Sequence, residues 1–266
     1  MKNPIIGIMG AMLEEVTGVI ALVENPVKQE LGMRTYYQGK INGVDVVVVF
    51  SRWGKVAAAT TISTLITEFH ITELIFTGVA GAIAQNVKVG DMVLAKRVMQ
   101  HDMDSRPLLP QYVIPLHKKI FFENMEEHLQ ESEKTITEFL TNQQINQQLL
   151  EQFNITNPKL WIGDIASGDQ FFSSNEQKKQ LADAFPTVLC VEMEGAAVAQ
   201  ICTEYNIPWT IIRTISDSAD DNSSTDFQRF IEEIASVYAV EVIKLWVTPQ
   251  TPNKASTSQP VPHRRG

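Results

Sequence analysis

The stretch PIIGIMGAMLEEV, residues 4–16, decides the fold. Pro4–Met9 is a short apolar run rich in Ile, the pattern of a strand buried on both faces. Gly10 and Ala11 follow at once, and a helix-period segment runs from about Met12 to Leu22. A buried strand that turns through small residues into a helix is the opening of an α/β fold. The alternation continues outward from there. Arg34–Tyr37 and Val44–Phe50 flank Asn42-Gly43, a strong hairpin signal. Lys55–Phe69 places Ala58, Ile62, Leu65, Ile66 and Phe69 on one helical face. Further strands are expected at Glu73–Thr77, Met92–Ala95, Leu160–Ala166, Val188–Glu192 and Trp209–Ile215. Helices are expected at Asn175–Phe185, Gly195–Tyr205 and Thr225–Trp246. This order predicts an α/β fold: a single-domain, three-layer α/β/α sandwich over residues 1–247, around a central mixed, largely parallel sheet.

Two regions break the pattern. The segment at about 106–157 begins with Pro107, Pro110 and Pro115 and becomes acidic and rich in Gln and Asn. It reads as a surface insertion of one loop and two helices between sheet strands. Residues 248–266, TPQTPNKASTSQPVPHRRG, carry almost no apolar side chains and read as a disordered tail.

Composition removes several function classes. The chain has 266 residues, 31 acidic and 22 basic, for a formal net charge of −9. Nucleic-acid binding needs clustered Lys and Arg, so no nucleic-acid partner is expected. No apolar run is long enough to span a membrane, and no membrane partner is expected. The N-terminal apolar run meets Glu14 and Glu15 without a small-residue cleavage site, so no secretory signal is expected. Cys190 and Cys202 are the only cysteines, which fits a reducing, cytoplasmic compartment. Five scattered histidines give no metal-ligand spacing.

Five segments offer chemistry, each with a structural alternative. Gly10–Val16 puts Glu14 and Glu15 in a first helical turn, either stabilising the helix start or serving as acid or base. Thr77–Ala82, TGVAGA, is a small-residue turn after a strand: a tight exit, or a close approach to a ligand. Ala166–Phe172 carries Phe171 and Phe172, which either stack on a flat base or cap the core. Val191–Ala197 sets Glu192 and Glu194 directly after a buried strand. Buried carboxylates need an explanation: a sugar diol, or a core ion pair with Arg213. Arg213–Asp220 ends an apolar strand in Ser216-Asp217, a carboxylate placed for catalysis or for capping the next turn.

Taken together and in order, GAMLEEV, SRWGKVAAA (51–59), TGVAGA (77–82), VKVGDMV (87–93), HDMD (101–104), SGDQF (167–171), VEMEGAAVA (191–199) and RTISDSAD (213–220) resemble the 5′-methylthioadenosine/S-adenosylhomocysteine nucleosidase family. That family lies within the nucleoside phosphorylase superfamily. SGDQF and HDMD also resemble its members that cleave 6-amino-6-deoxyfutalosine. The resemblance implies a nucleoside phosphorylase-like fold, a homodimer, and hydrolysis of an N-ribosidic bond with release of adenine. It implies no cofactor and no metal. By motif, Glu15 would activate the attacking water, and Glu194 would bind the ribose hydroxyls with Met193 against the sugar. Asp217, held by Ser216, would protonate adenine N7. Phe171 would stack on the base, the backbone of Phe172 would read its edge, and Phe227 would close over the ligand. Met12 and Val79 would line the substrate site, and Arg213 would support the acidic cluster there.

Three departures bear on specificity. Val79 stands where many relatives have Ser. SRPLLPQYVIP replaces an aromatic-containing loop after HDMD, and the insertion is longer than usual. Two alternatives stay open from sequence. A phosphate-dependent nucleoside phosphorylase would need a phosphate cradle, for which Arg52 is the candidate. A non-catalytic nucleoside-binding protein would share the fold without turnover.

Overall fold

A computed structural model describes residues 4–142, 147–219 and 227–248. In chain order the first part contains β1 (Ile5–Gly10), α1 (Leu13–Ile20), β2 (Glu24–Leu31), β3 (Arg34–Ile41), β4 (Val44–Phe50), α2 (Lys55–Thr67) and β5 (Glu73–Ala82). Then come β6 (Met92–Gln100), β7 (Phe121–Glu123), α3 (Glu126–Thr141), α4 (Gln147–Gln152) and β8 (Leu160–Ser167). The last part holds α5 (Asn175–Ala184), β9 (Val188–Glu192), α6 (Gly195–Tyr205), β10 (Trp209–Asp217), α7 (Phe227–Phe230) and α8 (Ser236–Trp246). A π-helical stretch, Ile231–Ala235, joins α7 to α8.

One mixed sheet runs in the order β10-β6-β8-β9-β5-β1-β4-β3-β2, and β10 pairs with β5 as well. The second pairing closes five strands into a ring, from which β1, β4, β3 and β2 extend as an open wing. The opening strand lies centrally, parallel to β4 on one side and β5 on the other. Its neighbours explain the apolar runs. Val46 and Val48 of β4 join Ile6 and Ile8 of β1 against Val16 and Val19 of α1 and Ile243 of α8. Val47 and Val49 face the opposite way, with Met9, against Ala58, Ile62 and Leu65 of α2. Strands covered on both faces need no polar alternation. These layers are those expected from sequence.

The hairpin at Asn42-Gly43 forms as expected, with both residues at positive φ, +48 and +78. A second hairpin, between β2 and β3, turns at Gly32-Met33 with φ of +53 and +62. Sequence gave no sign of β2, because Glu24–Glu30 are all exposed on the sheet edge and no buried face imposes alternation. Pro26 fits that edge, where a missing N–H costs no ladder bond. β5 extends through Thr77–Ala82, so the expected small-residue turn is strand instead.

The insertion holds the expected loop and two helices, plus β7. Yet α3 is not merely a surface helix. Leu129, Ile136 and Phe139 are buried with Tyr238 and Val242 of α8 in a second core cluster. Thr225 and residues 249–266 of the expected tail lie outside the described residues.

Candidate active site

A cavity of about 360 Å³ opens at the carboxyl ends of β1, β5, β9 and β10. Met12, Glu15, Val79, Phe171, Phe172, Met193, Glu194, Ser216, Asp217 and Phe227 all line it. Segments up to 215 residues apart in the chain therefore meet in one place, as ligand sites do where parallel strands end.

Glu15 stands in the first turn of α1 and is almost fully buried. Its Oε2 accepts the Met12 N–H at 2.8 Å, and its Oε1 accepts the Val79 N–H of β5 at 3.1 Å. It thus stabilises the helix start and faces the cavity at once. Burial pushes its pKa from 4.5 to about 7, against the lowering effects of the Met12 N–H and of Arg213. Gly78 eases its packing, because a Cβ there would stand 3.1 Å from Glu15 Oε1, a tight contact.

Glu192 and Glu194 both line the cavity, but only Glu192 makes the core ion pair. β9 ends at Glu192, so the chain leaves strand geometry before Glu194 and the two side chains separate. Glu192 takes the core ion pair: it accepts from Arg213 Nη2 at 2.7 Å and Nε at 3.2 Å. It also accepts from the Gly195 N–H, the Glu194 N–H and the Ser167 hydroxyl. Glu194 instead accepts the Gly54 N–H at 2.7 Å. Burial raises its pKa well above the carboxylate range, and the nearby Glu192 and Glu15 add to the rise. Three buried carboxylates share one buried guanidinium. Glu192 holds it by direct contact, and the two less compensated carboxyls shift upward.

Arg213 supports the acidic cluster from outside the cavity lining. It does not line the cavity and is 1% exposed, with Phe76 stacked at 4.1 Å from its guanidinium carbon. Its Nη1 donates to the carbonyls of Phe76 and Ile212. Its part is to hold Glu192 from below, with no direct contact surface for a ligand.

Asp217 ends β10 at a bulge, paired with Gly81. Its Oδ2 accepts from the Ser216 hydroxyl at 2.7 Å and its Oδ1 from the Ala219 N–H at 2.7 Å. The second bond is the expected turn cap; the cavity lining is the expected functional placement. Gly81 leaves room for it, since a Cβ there would lie 2.8 Å from Asp217 Oδ1. So the glycines of TGVAGA make space for the two carboxylates, Glu15 and Asp217.

The aromatic pair divides too. Phe171 is 47% exposed on the cavity wall, edge-on to Phe227 at 5.9 Å between ring centres. Phe172 is buried, packed edge-on against His101. Sequence reasoning missed Trp53, Gln170 and the Gly54 donor. The signal for Gly54 was its place before the helix in SRWGKVAAA. Its φ of +89 suits glycine, and only the fold shows that its N–H meets Glu194. Arg52 is exposed, lies outside the cavity lining, and donates to the Met33 carbonyl at 2.7 Å.

Known proteins resemble this chain in sequence and in fold. The sequence profile described as the Phosphorylase superfamily matches residues 5–245. Aminodeoxyfutalosine nucleosidase of Helicobacter pylori is 33% identical over 236 residues, covering 88% of this chain and 94% of that protein. The 5′-methylthioadenosine/S-adenosylhomocysteine nucleosidase of Staphylococcus aureus is 34% identical over 235 residues, 86% of this chain and 93% of its own. The solved nucleosidase of Streptococcus pneumoniae, bound to a transition-state inhibitor, superposes with a TM-score of 0.78 at 31% identity, covering 91% of this chain and 98% of that one. This chain belongs to the 5′-methylthioadenosine/S-adenosylhomocysteine nucleosidase family of the phosphorylase superfamily.

Proposed function

We propose that this chain hydrolyses the N-ribosidic bond of 5′-substituted adenosines (methylthioadenosine, S-adenosylhomocysteine, 5′-deoxyadenosine) or of 6-amino-6-deoxyfutalosine, and releases adenine. The observation that carries this is the convergence of Glu15, Glu194 and Asp217 on one cavity with an aromatic wall. Water adds to C1′ as the C1′–N9 bond breaks, and the bonding electrons leave with adenine. Glu15 takes a proton from the water; a base with a pKa of about 7 is matched to neutral pH. Asp217, oriented by Ser216, gives a proton to adenine N7. Glu194 binds the ribose hydroxyls beside Met193, and the carboxylates stabilise the oxocarbenium-like charge. Phe171 and Phe227 hold the base, the Phe172 backbone reads its edge, and Met12 and Val79 contact the substrate.

This scheme asks for no cofactor and no metal. Arg52 points away from the cavity, which disfavours phosphate as the nucleophile. The retained trio of carboxylates favours turnover over simple binding.

The working unit is a homodimer in the cytoplasm. Met33, Trp53, Val56, Leu108 and Leu116 leave large apolar side chains exposed, with Trp53 at the cavity and Leu108 in the loop after HDMD. A second copy covering them would remove that surface from water. Ile114 of the same loop is buried in its own subunit. No helix among the described residues is long and apolar enough to cross a membrane.

The test incubates purified protein with each of the four nucleosides, with and without phosphate, and measures adenine. Release without phosphate is expected, and the preferred 5′ group is read from the four rates. A strict phosphate requirement, or tight binding with no release, would overturn the proposal. Solution mass at micromolar concentration tests the dimer; an active monomer would refute it.

A further inference from the structure

HDMD, residues 101–104, takes no part in the chemistry above, yet Asp102 sits at a junction. Its Oδ1 accepts from Lys55 Nζ at 2.6 Å, and its Oδ2 accepts the Asp169 backbone N–H at 2.9 Å. Asp169 closes the loop, its Oδ1 accepting the Lys55 backbone N–H at 2.8 Å. Lys55 Nζ has a further acceptor in Gln100 Oε1 at 3.0 Å. The Lys55 and Asp102 side chains are each only 18% exposed, so the pair is better shielded than a surface bridge. Burial works to raise the Asp102 pKa, but Lys55 and the Asp169 N–H outweigh it and hold the carboxyl below its usual range.

The two segments joined here both reach the cavity. Residues 51–55 contain Arg52 and Gly54 in left-handed conformation, φ of +72 and +89. A non-glycine residue such as Arg52 keeps that geometry only when its surroundings enforce it. Trp53 of this segment lines the cavity, and the Gly54 N–H meets Glu194. The other segment, 167–172, brings Gln170, Phe171 and Phe172 to the same cavity. Contact is close: a Cβ on Gly54 would lie 2.9 Å from Asp169 Oδ1. Asp102 itself does not line the cavity.

We propose that Asp102, through Lys55 and Asp169, is a positioning residue that clamps the Gly54 segment to the Phe171 segment and so fixes the two walls of the cavity against each other. The assignment of the walls to ribose and base rests on the nucleosidase reading; the clamp itself does not. An ion pair alone would add only stability. The clamp adds register, because the same carboxylate serves a side chain of one wall and the backbone of the other.

The test compares the native chain with Asp102→Ala, Asp102→Asn and Lys55→Met. Hydrogen exchange followed by mass spectrometry reads the segments 51–55 and 167–172 without any substrate. Faster exchange in both segments is expected in every variant, with the rest of the sheet unchanged. Adenine release should show kcat/KM lower by about ten- to a hundredfold, the scale of small misplacements at an active site. That loss should be split between a higher KM, from the Phe171 wall, and a lower kcat, from Glu194. A fully structural role would lower the melting temperature and leave kcat and KM of the folded enzyme untouched. Native exchange in either segment, or native kinetics in a folded variant, overturns the clamp. Should Asp102→Ala not fold, Asp102→Asn and Lys55→Met carry the same expectations. No adenine release by the native chain would refute the nucleosidase reading and leave the exchange result to judge the clamp.

Discussion

Glu15→Gln should stabilise the protein increasingly as pH rises. Glu15 has a pKa of about 7 in the fold and 4.5 as its ordinary value. Below 4.5 it is protonated in both folded and unfolded chains and contributes no pH dependence. Between those values the unfolded chain loses the proton first, so stability falls as pH rises. Above about 7 the penalty is complete and constant. The gap corresponds to about 3 kcal/mol of native stability lost at alkaline pH. Gln cannot ionise, so this loss disappears in the variant. The amide also places an NH₂ against the N–H of Met12 or Val79, which costs about 1–3 kcal/mol at any pH. That cost is independent of pH and cancels when one compares two pH values. The stability difference, variant minus native, should therefore shift by about 2.5 kcal/mol in favour of the variant between about pH 5 and about pH 8.5. Urea unfolding at both pH values measures it. The same substitution should reduce adenine release by at least about 10²-fold, the lower end for a positioned base. A stability difference that stays flat with pH would show Glu15 ionised throughout, and the argument from its burial would fall.

Three further outcomes test the remaining roles. Asp217→Asn should lose about 10²–10⁴-fold in adenine release while still binding nucleoside. It should lose far less on a nitrophenyl riboside, whose leaving group needs no proton; equal damage to both substrates would make Asp217 a turn cap only. Glu194→Gln keeps an acceptor for the Gly54 N–H but cannot ionise as positive charge develops on the sugar, so turnover should drop sharply on a riboside and much less on the 2′-deoxy substrate; equal sensitivity would remove Glu194 from the diol role. Phe171→Ala should weaken adenine binding by roughly 1–3 kcal/mol and Phe171→Tyr only slightly, as read by calorimetry; native affinity in the Ala variant would make Phe171 a packing residue.

How much of this was legible in the sequence follows from where the determining contacts lie. β1, β4 and α2 were legible because burial on known faces writes itself into local spacing. β2 was not, because Glu24–Glu30 bury nothing and only pairing with β3 makes them a strand. The ring was not either. It depends on β10 pairing with both β5 and β6, and no local pattern separates a strand with two partners from one at an edge. The site shows the same division one level down. Residue types and order put Glu15, Glu194 and Asp217 on the candidate list, but each came with a structural alternative. In three cases the fold accommodates the structural bond and the cavity placement together: Glu15 binds the Met12 N–H and lines the cavity, Asp217 caps Ala219 and lines the cavity, and of the two lining carboxylates Glu192 and Glu194 the first pairs with Arg213 and the second meets Gly54. A carboxylate has two oxygens and about four acceptor sites, so a structural bond does not exhaust it. Such bonds are what hold a buried carboxyl in one orientation while its desolvation shifts its pKa. The structural and functional readings therefore were never exclusive at these positions. What the sequence lacked was the strand end at Glu192, after which Glu194 meets the Gly54 N–H while Glu192 holds Arg213.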